Sequence, residues 1–550
     1  MSRSAKLLLL QFLIVLPVCS FLFFFGLGAF GLVGADEPRY AQIGREMLAR
    51  HDWIVPTING QPWLEKPVLL YWQEMVAYSV FGVHDWAARI PSAIFAAGLV
   101  IAILFFMRRF RPGSELDAAL ITASCAAVIG FGRGASTDMQ LSAPLSAAML
   151  AWWGWHESGR KLWLGFFYAL LAVGALAKGP VSPALAVLIV AAYAALRHDG
   201  RIFVRSLWIP GFILFFAIAL PWYVAVQVKV PQFFRVFFLQ HNLERFGTNM
   251  YQHSQPFWYY VPVFIVSVLP WSIFTVPAVW NALRQRWNVI RSRGDGNTAD
   301  DSAQDPEWLD QFLMLWILVP VVFFSVSRSK LPGYILPAIP PAALLTAGYL
   351  QVQGKIHRIK LILHSVVCGA VLAGGLIAPW LMLKRHLTQD TWTSVIAVTC
   401  ITASAVLLLV RYRGARVLHF VTLVPVVLAL VFLLRFAAAP PQPNNPVRDN
   451  LIDLTQSSRS VDAALRTFGV NSGPIAIFNV PHQRELEYGL NFYRNQPIQL
   501  YGRDPISEET HVVIAKQGDL DAVQSSVGNR KVVSVGGFAF QRLEFFKVLQ

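Results

Sequence analysis

Carboxylates stand directly beside predicted membrane segments at two points of the chain. Asp36 and Glu37 follow an apolar run that fills most of the first 34 residues, and Asp138 precedes another apolar run. Carboxylates at a membrane border can orient or deprotonate an acceptor, or stabilise an oxocarbenium-like centre. Each also has a structural interpretation, because Asp36 can end or cap a helix and Asp138 suits the N-cap of the next span.

Cationic side chains share the same predicted loops. Arg39 and Lys66 follow the first span, whereas Arg245 and Lys330 precede later ones. Lys and Arg near a bilayer bind lipid phosphates, and a departing phosphate needs positive charge more than it needs a proton. The combination favours a transferase that cleaves a sugar from a polyprenyl phosphate. Lys330 can also be explained as a lipid-facing side chain whose charge extends to the interface.

The composition is that of a membrane protein. Of the 550 residues, 55% are hydrophobic and only 14% charged, compared with about 25% charged residues in soluble proteins. Apolar windows of ~20 residues, long enough to cross a hydrocarbon core of ~30 Å, recur along the chain. The sequence therefore predicts a mostly α-helical, polytopic fold. The four cysteines lie in apolar segments and are interpreted as small buried hydrophobes.

Thirteen membrane spans are predicted, several of them interrupted by Gly or Pro. They are 7–33, 86–106, 115–133, 140–155, 162–177, 180–196, 207–227, 257–280, 309–327, 333–350, 361–383, 391–410 and 417–436.

The basic residues behind the net charge of +15 are interpreted as signals that set the orientation of the chain in the membrane. With the N-terminus in the cytoplasm, basic clusters such as 108–111, 197–201 and 411–416 fall on the cytoplasmic side, as the positive-inside rule requires. No nucleic-acid partner is expected. The candidate carboxylates and cations all fall on the outer face. The chain has no P-loop, GxGxxG or HExxH motif, so a nucleotide cofactor is not expected either.

The long outer segments are predicted to be structured. In the first outer loop, 34–85, apolar residues at helical spacing from Tyr40 to Leu48 predict an interfacial helix, and three prolines interrupt the segment 53–72. Residues 1–440 are predicted to form the membrane domain. Residues 441–550 are predicted to form a small α/β domain on the outer side, with a helix in IDLTQSSRSVDAALRTFG and strands at 474–480, 511–516 and 538–548.

Several outer segments resemble one family. The stretch DEPRYAQIGREMLARHDWIVPTINGQPWLEKP resembles the first outer loop of lipid-carrier-dependent glycosyltransferases of the C-type (GT-C) fold. It is most similar to the aminoarabinose (4-amino-4-deoxy-L-arabinose) transferases of lipid A. HNLERF, HSQPFWYY and SKLPGYILP resemble that family's later outer loops in the same order, so the likeness covers nearly all of 1–350.

The resemblance implies inverting transfer of a sugar, here 4-amino-4-deoxy-L-arabinose, from undecaprenyl phosphate. The implied acceptor is lipid A or a related glycolipid on the periplasmic face of the bacterial inner membrane. The candidate catalytic residues are then Asp36, Glu37 and Asp138. The candidates for binding the carrier phosphate and lipid are Lys66, Arg39, Tyr40, Arg245, Lys330 and Tyr334.

A divalent metal, zinc being the candidate, is implied only by the resemblance. Glu65 and His253 match positions associated with the metal in the family, although their spacing alone does not indicate a metal site. The chain departs from the family after Asp138, where Met139 and the polar Gln140 replace a proline and an apolar residue. Gln140 can alter the substrate pocket.

Two other functions fit parts of the sequence. A transferase similar to the protein O-mannosyltransferases would pass a sugar to hydroxyl groups of protein or glycan, and Asp36 would then be a plausible base. A lipid-carrier transporter is the alternative outside enzymes. Transporters tend to place charges at the bilayer midplane and to show repeated halves. In this chain the predicted spans have almost no ionisable residues in their interiors, and no internal repeat is evident.

Overall fold

The computed structural model describes residues 3–237, 255–294, 306–353, 356–382, 389–414, 417–437, 458–538 and 542–550. Helices dominate the first 437 residues of the chain. They are α1 (Arg3–Cys19), α2 (Asp36–Ala49), α3 (Leu69–Phe81), α4 (Asp85–Phe110), α5 (Glu115–Ser124), α6 (Ala126–Gly132), α7 (Thr137–Ser158), α8 (Lys161–Lys178), α9 (Val181–Leu196), α10 (Gly200–Ser206), α11 (Ile209–Lys229), α12 (Tyr260–Ser267), α13 (Ser272–Gly294), α14 (Pro306–Val326), α15 (Ile339–Gln353), α16 (Arg358–Met382), α17 (Gln389–Arg413) and α18 (Leu418–Ala437).

Short elements of other types connect these helices. A π-helix (Ser20–Phe24) follows α1, and 3₁₀-helices precede α12 (Phe257–Tyr259) and α15 (Pro332–Ala338). Strands β1 (Thr57–Ile58) and β2 (Gln61–Pro62) pair antiparallel between α2 and α3.

The helices are those of an integral membrane protein, and every predicted span contains helix. Within the described ranges, eight helices are long and apolar enough to cross a membrane. A ninth span results if α5 and α6, which meet at a bend of 63°, are counted together. The predicted number of thirteen spans is therefore not confirmed. Three cysteines are buried, as expected, but Cys400 is exposed.

The first span ends earlier than predicted. Its helical part stops at Phe24, whereas the apolar run predicted a span to residue 33. Gly26 adopts φ +68°, a conformation that residues with a side chain rarely adopt. A non-helical segment therefore connects this span to α2, and its carbonyl groups need other partners.

Arg89 of α4 supplies those partners. The buried guanidinium donates hydrogen bonds to the carbonyl oxygens of Leu27, Phe30 and Gly31 at 2.7–2.9 Å. It also donates to both carboxylate oxygens of Glu37, at 3.2 and 2.7 Å. All five N–H groups of Arg89 are thus used, and they fix the segment that leads into α2.

Glu37 extends this contact to a third helix. Its carboxylate also accepts the backbone N–H groups of Val33 at 2.8 Å and of Ala135 at 2.7 Å. Ala135 lies just before α7, so Glu37 ties the start of α2 to the start of α7.

The first outer loop is compact. As predicted, α2 is a helix whose Tyr40, Ile43 and Met47 side chains are buried. Glu46, on another side of α2, accepts hydrogen bonds from the turn between β1 and β2, with Asn59 N–H at 2.8 Å. The hairpin is therefore held against α2.

Residues 458–538 and 542–550, the described part of the C-terminal region, form a five-stranded sheet with three helices. Its elements are α19 (Ser458–Thr467), β3 (Ile475–Ile477), α20 (Gln483–Arg494), β4 (Gln499–Leu500), β5 (His511–Lys516), α21 (Leu520–Val527), β6 (Val532–Phe538) and β7 (Leu543–Val548). The strand order is β4-β3-β5-β7-β6, in which β3 pairs parallel with β4 and β5, and the β5-β7 and β7-β6 pairs are antiparallel.

The predicted α/β character is thus observed, whereas α20 had no counterpart in the sequence prediction. This helix packs on α2. Asn491 Nδ2 donates to Asn59 Oδ1 at 2.6 Å, and Arg45 donates to the carbonyl oxygen of Phe492 at 2.9 Å. Tyr493 receives the N–H of Leu32 at 2.8 Å.

Arg89→Met should destabilise the protein by about 3–5 kcal/mol, because it leaves the Glu37 charge and three carbonyl groups without their buried partner. Thermal unfolding in lipid nanodiscs would show a lower Tm. Arg109→Met, at the exposed end of the same helix, is the control and should change Tm little. An unchanged Tm for Arg89→Met would contradict the role assigned to this residue.

Candidate active site

Asp138 and Lys178 form an ion pair at one end of the helix bundle. Asp138 lies in the first turn of α7 and Lys178 is the last residue of α8. Their Oδ1 and Nζ atoms are 2.5 Å apart, and both side chains are largely buried. The hydroxyl of Ser136 donates to the other Asp138 oxygen at 3.2 Å. Asp138 is therefore held in place from two sides.

The 3₁₀-helix Pro332–Ala338 closes over this pair. The ring centroid of Tyr334 is 5.3 Å from Lys178 Nζ. A Cβ atom added to Gly333 would lie 2.7 Å from Asp138 Oδ1. Only a residue without a side chain fits there, so the backbone of this segment rests directly on the carboxylate.

The consecutive residues Glu65 and Lys66 lie between two groups of charges, one around Asp138 and one around Arg39. Lys66 lies close enough to Asp138 for its positive charge to stabilise the carboxylate. The charge of Glu65 acts instead on Arg39 and Tyr40. The segment between β2 and α3 therefore brings one charge near each of the two carboxylate clusters.

The second cluster is built on the first turn of α2. Arg39 pairs with Asp36, one turn away on the same helix. The guanidinium is buried and lies against three rings, with its carbon 4.7 Å from the centroid of Trp63, 5.2 Å from Tyr40 and 5.5 Å from Tyr488. Asp36 keeps 59% of its side chain exposed, so it remains accessible to a substrate.

The other predicted site residues either make structural contacts or lie outside the described part of the chain. Glu37 is fully engaged with Arg89 and two backbone groups, contacts that favour a positioning role over a catalytic one. Lys330 is buried and donates to the carbonyl oxygen of Ser327 at 2.5 Å. Arg245 and His253 lie outside the described residues.

The described residues do not complete a metal site. They contain no group of three His, Cys, Asp or Glu side chains that could hold an ion. Glu65, the one described candidate ligand, has the cationic Arg39 beside it. Among the described residues, one carboxylate next to a guanidinium is not by itself a site for a divalent cation, because the guanidinium repels the ion.

Sequence reasoning missed Lys178. A lysine at the edge of a predicted span is usually an interfacial side chain, so the local sequence alone does not mark this residue. The available signal was its position on the same outer face as Asp138, given the predicted alternation of spans. Gln140, predicted from the sequence to be able to alter the substrate pocket, is buried and donates its amide N–H to the Ser92 hydroxyl of α4 at 3.1 Å.

Comparison with known proteins assigns the family. An undecaprenyl phosphate-alpha-4-amino-4-deoxy-L-arabinose arabinosyl transferase of Serratia proteamaculans is 31% identical over 491 residues, 83% of each chain. This chain belongs to that transferase family. A protein of the same name from Yersinia pestis is 30% identical over 84% of each chain. A family model described as dolichyl-phosphate-mannose-protein mannosyltransferase matches residues 8–238 of this glycosyltransferase.

Solved structures show the same fold. ArnT from Cupriavidus metallidurans, in crystal structures bound to undecaprenyl phosphate and in the apo state, superimposes with TM-scores of 0.73 and 0.75. Identities are 22% and 21%, and 99% of this chain and 98% of theirs are covered. The GT-C-like architecture predicted for this glycosyltransferase is confirmed.

Glu74 is a buried carboxyl group beneath the site. It lies on α3 against Gly44 of α2, where an added Cβ would come within 2.6 Å of Glu74 Oε2. Neither of its oxygens has a hydrogen-bond partner in the described part of the chain. Burial, and secondarily the charge of Glu37, raises the pKa of Glu74 well above the ordinary 4.5.

The pH dependence of stability follows from this shift. Above its ordinary pKa, Glu74 loses its proton in the unfolded chain but keeps it in the folded protein, so stability should fall as pH rises from about 4.5. Glu74→Gln, which cannot ionise, should flatten that decline in Tm between roughly pH 5 and 8. Glu508→Gln, at an exposed carboxyl, is the control. Parallel Tm profiles of wild type and Glu74→Gln would refute the assignment.

Gly333→Ala should lower the kcat/KM of sugar transfer by about 10-fold to 100-fold, because the added methyl group must displace Asp138. The measurement is transfer in reconstituted membranes, with Tm recorded for each variant. Gly130→Ala is the matched control, since a Cβ there meets no atom within 4 Å. Equal activity of the two variants would show that the position of Asp138 does not matter.

Proposed function

We propose that this enzyme transfers 4-amino-4-deoxy-L-arabinose from undecaprenyl phosphate to lipid A, or to a related glycolipid, at the periplasmic face of the bacterial inner membrane. The match to arabinosyl transferases over 83% of the chain supports the donor and the sugar. One structural observation carries the proposal: Lys178 pairs with the largely buried carboxylate of Asp138 next to Gly179, a residue that lines an apolar cavity between membrane helices.

The cavity suits the hydrocarbon part of a polyprenyl phosphate. It has a volume of about 510 Å³ and lies between α8, α9 and α11. Ala175 and Gly179, which line it, flank Lys178 on either side. Phe215, Leu220 and Val224 give it apolar walls. An amphiphile with its chain in this cavity would present its phosphate to the Lys178 end of the cavity.

The positive charges of Lys66 and Lys178 are suited to stabilising the carrier phosphate as it leaves the sugar. In the proposed reaction an acceptor oxygen attacks the anomeric carbon as the bond between that carbon and the phosphate oxygen breaks. Negative charge then accumulates on undecaprenyl phosphate, which Lys66 and Lys178 stabilise. Asp138 holds the Lys178 amino group in place, and the charge of Lys66 acts on the same carboxylate. The attack takes place from the side opposite the leaving group, so the configuration is inverted.

Asp36 is proposed to act on the acceptor. The phosphate of lipid A is already ionised at neutral pH and needs no general base. Asp36, paired with Arg39 and exposed, would then orient the acceptor and balance charge. Arg39 pairs with Asp36 and is proposed to bind the carrier phosphate as well, together with Tyr40, while Tyr334 keeps Lys178 in position through its ring.

The proposed orientation has the N-terminus in the cytoplasm and the active site and C-terminal domain in the periplasm. The contacts of Asp138 with Lys178, of Glu37 with Ala135 and of α20 with α2 gather these parts at one end of the helices. Basic clusters occur in the connections at the other end, after α4 and between α7 and α8.

A divalent metal remains a proposal that rests on Glu65 and His253. Elemental analysis of the purified enzyme, together with transfer assays before and after chelation, tests it. No step of the proposed reaction depends on that outcome.

Mass spectrometry of lipid A from cells with and without the gene tests the function. Cells with the wild-type gene should carry lipid A heavier by one aminopentose. Lys66→Ala and Lys178→Met should each lower kcat/KM by about 100-fold to 1,000-fold, as expected when a group that stabilises developing charge is removed. Lys516→Ala, on an exposed part of the C-terminal domain, is the control. Full transfer by Lys66→Ala would exclude the proposed phosphate site.

The match to the mannosyltransferase family model favours one alternative, transfer to hydroxyl groups of protein or glycan. Such an acceptor must lose a proton, so Asp36 would be its base. Unchanged lipid A together with sugar-modified protein in the same cells would establish this alternative.

A further inference from the structure

The C-terminal domain contributes one side chain to the cluster around Asp36. Tyr488 lies on α20 and is buried at 8% exposure, within the apolar cluster that contains Tyr40, Ile43 and Leu64. Its ring is 5.5 Å from the Arg39 guanidinium carbon. Among the described residues, it is the one member of that cluster from the C-terminal domain.

The other contacts of α20 hold the helix on the membrane domain. Phe492, one turn beyond Tyr488, packs in a separate apolar cluster with Leu32, Ala41 and Tyr78. Residues four apart share a face of a helix, so Tyr488 and Phe492 both point toward α2. Phe492 anchors α20 on the membrane domain, whereas Tyr488, one turn earlier, contacts Arg39.

The surroundings of Arg39 make the Tyr488 ring important for stabilising the buried guanidinium. The guanidinium is buried, and its Nε has no hydrogen-bond partner in the described structure. Aromatic faces attract a cation, and the attraction strengthens when water is excluded. Trp63 and Tyr40 come from the first outer loop itself, whereas Tyr488 comes from a domain more than 400 residues further along the chain.

We propose that Tyr488 is a positioning residue for Arg39, so that the C-terminal domain forms one wall of the active site and tightens binding of the carrier phosphate. This inference rests on the proposed function, because it assigns Arg39 to the phosphate. It gives the domain a part in substrate binding as well as in the architecture of the periplasmic side.

The test compares variants that keep or remove the ring. Tyr488→Phe keeps the aromatic face, and Tyr488→Leu keeps only apolar volume. Binding of undecaprenyl phosphate and transfer kinetics would be measured for the full chain in nanodiscs. Tyr488→Leu should weaken binding about tenfold and raise the donor KM by a similar factor, with kcat within about twofold of wild type. Tyr488→Phe should bind as wild type does.

Asn491→Ala is the matched control, because it removes a docking hydrogen bond of the same helix without touching Arg39. Equal loss of binding in Asn491→Ala and Tyr488→Leu would show that docking alone matters and would overturn the proposal. Normal binding by Tyr488→Leu would overturn it as well. If Tyr488→Leu does not fold, Tyr488→Met takes its place under the same criteria.

A double-mutant cycle shows whether Tyr488 acts through Arg39. In an Arg39→Lys background, which loses the planar guanidinium, Tyr488→Leu should cause no further loss of binding. Additive losses would contradict the proposal. Failure of the wild type to bind undecaprenyl phosphate or to transfer sugar would instead refute the proposed function, so the two failures are distinct.

Discussion

The buried contact between Arg89 and Glu37 is the constraint on which the site depends. The chain leaves its first span as a non-helical segment with carbonyl groups that water does not reach, and a buried polar group without a partner is costly. Arg89 satisfies three of them and pairs with Glu37 in the same place. Since Asp36 and Arg39 flank Glu37 on the first turn of α2, their positions are set by a residue from another helix. Glu37 thus positions its neighbours on α2 through its own contacts with Arg89 and the backbone.

The charges around the site are nearly balanced before any substrate binds. Asp36 is paired with Arg39 and Asp138 with Lys178, while Glu65 and Lys66 face one cluster each. Buried or half-buried charges persist only when they are compensated. A bound phosphate would add negative charge beside Lys66 and Lys178, and the loss of the sugar would increase that charge on the departing oxygen. The lysines would therefore stabilise the transition state, in which this charge develops, more than the bound substrate, which is the condition for catalysis.

Local patterns were predictable, and contacts between distant segments were not. The spacing of Tyr40, Ile43 and Met47 predicted α2, and the strand predicted at 511–516 has the observed bounds of β5. The alternation of spans placed Asp36, Asp138 and Lys330 on one face. The partner of Glu37 is 52 residues away, and no local pattern indicates it. Lys178 resembled an ordinary span edge. The helix α20 was expected to be a loop, so the source of the third ring around Arg39 remained hidden.

The adjacency of Glu65 and Lys66 joins the donor and acceptor sides of the pocket. Glu65 and Lys66 lie in a bend between β2 and α3, and the charge of Glu65 acts on Arg39 while the charge of Lys66 acts on Asp138. Pro67 restricts the backbone directly after them, and α3 begins at Leu69. Because one peptide bond joins Glu65 to Lys66, the positions of these two charges depend on each other. The carboxylate proposed to receive the acceptor and the amines proposed to receive the carrier phosphate are thus linked through adjacent residues, although they come from widely separated parts of the chain.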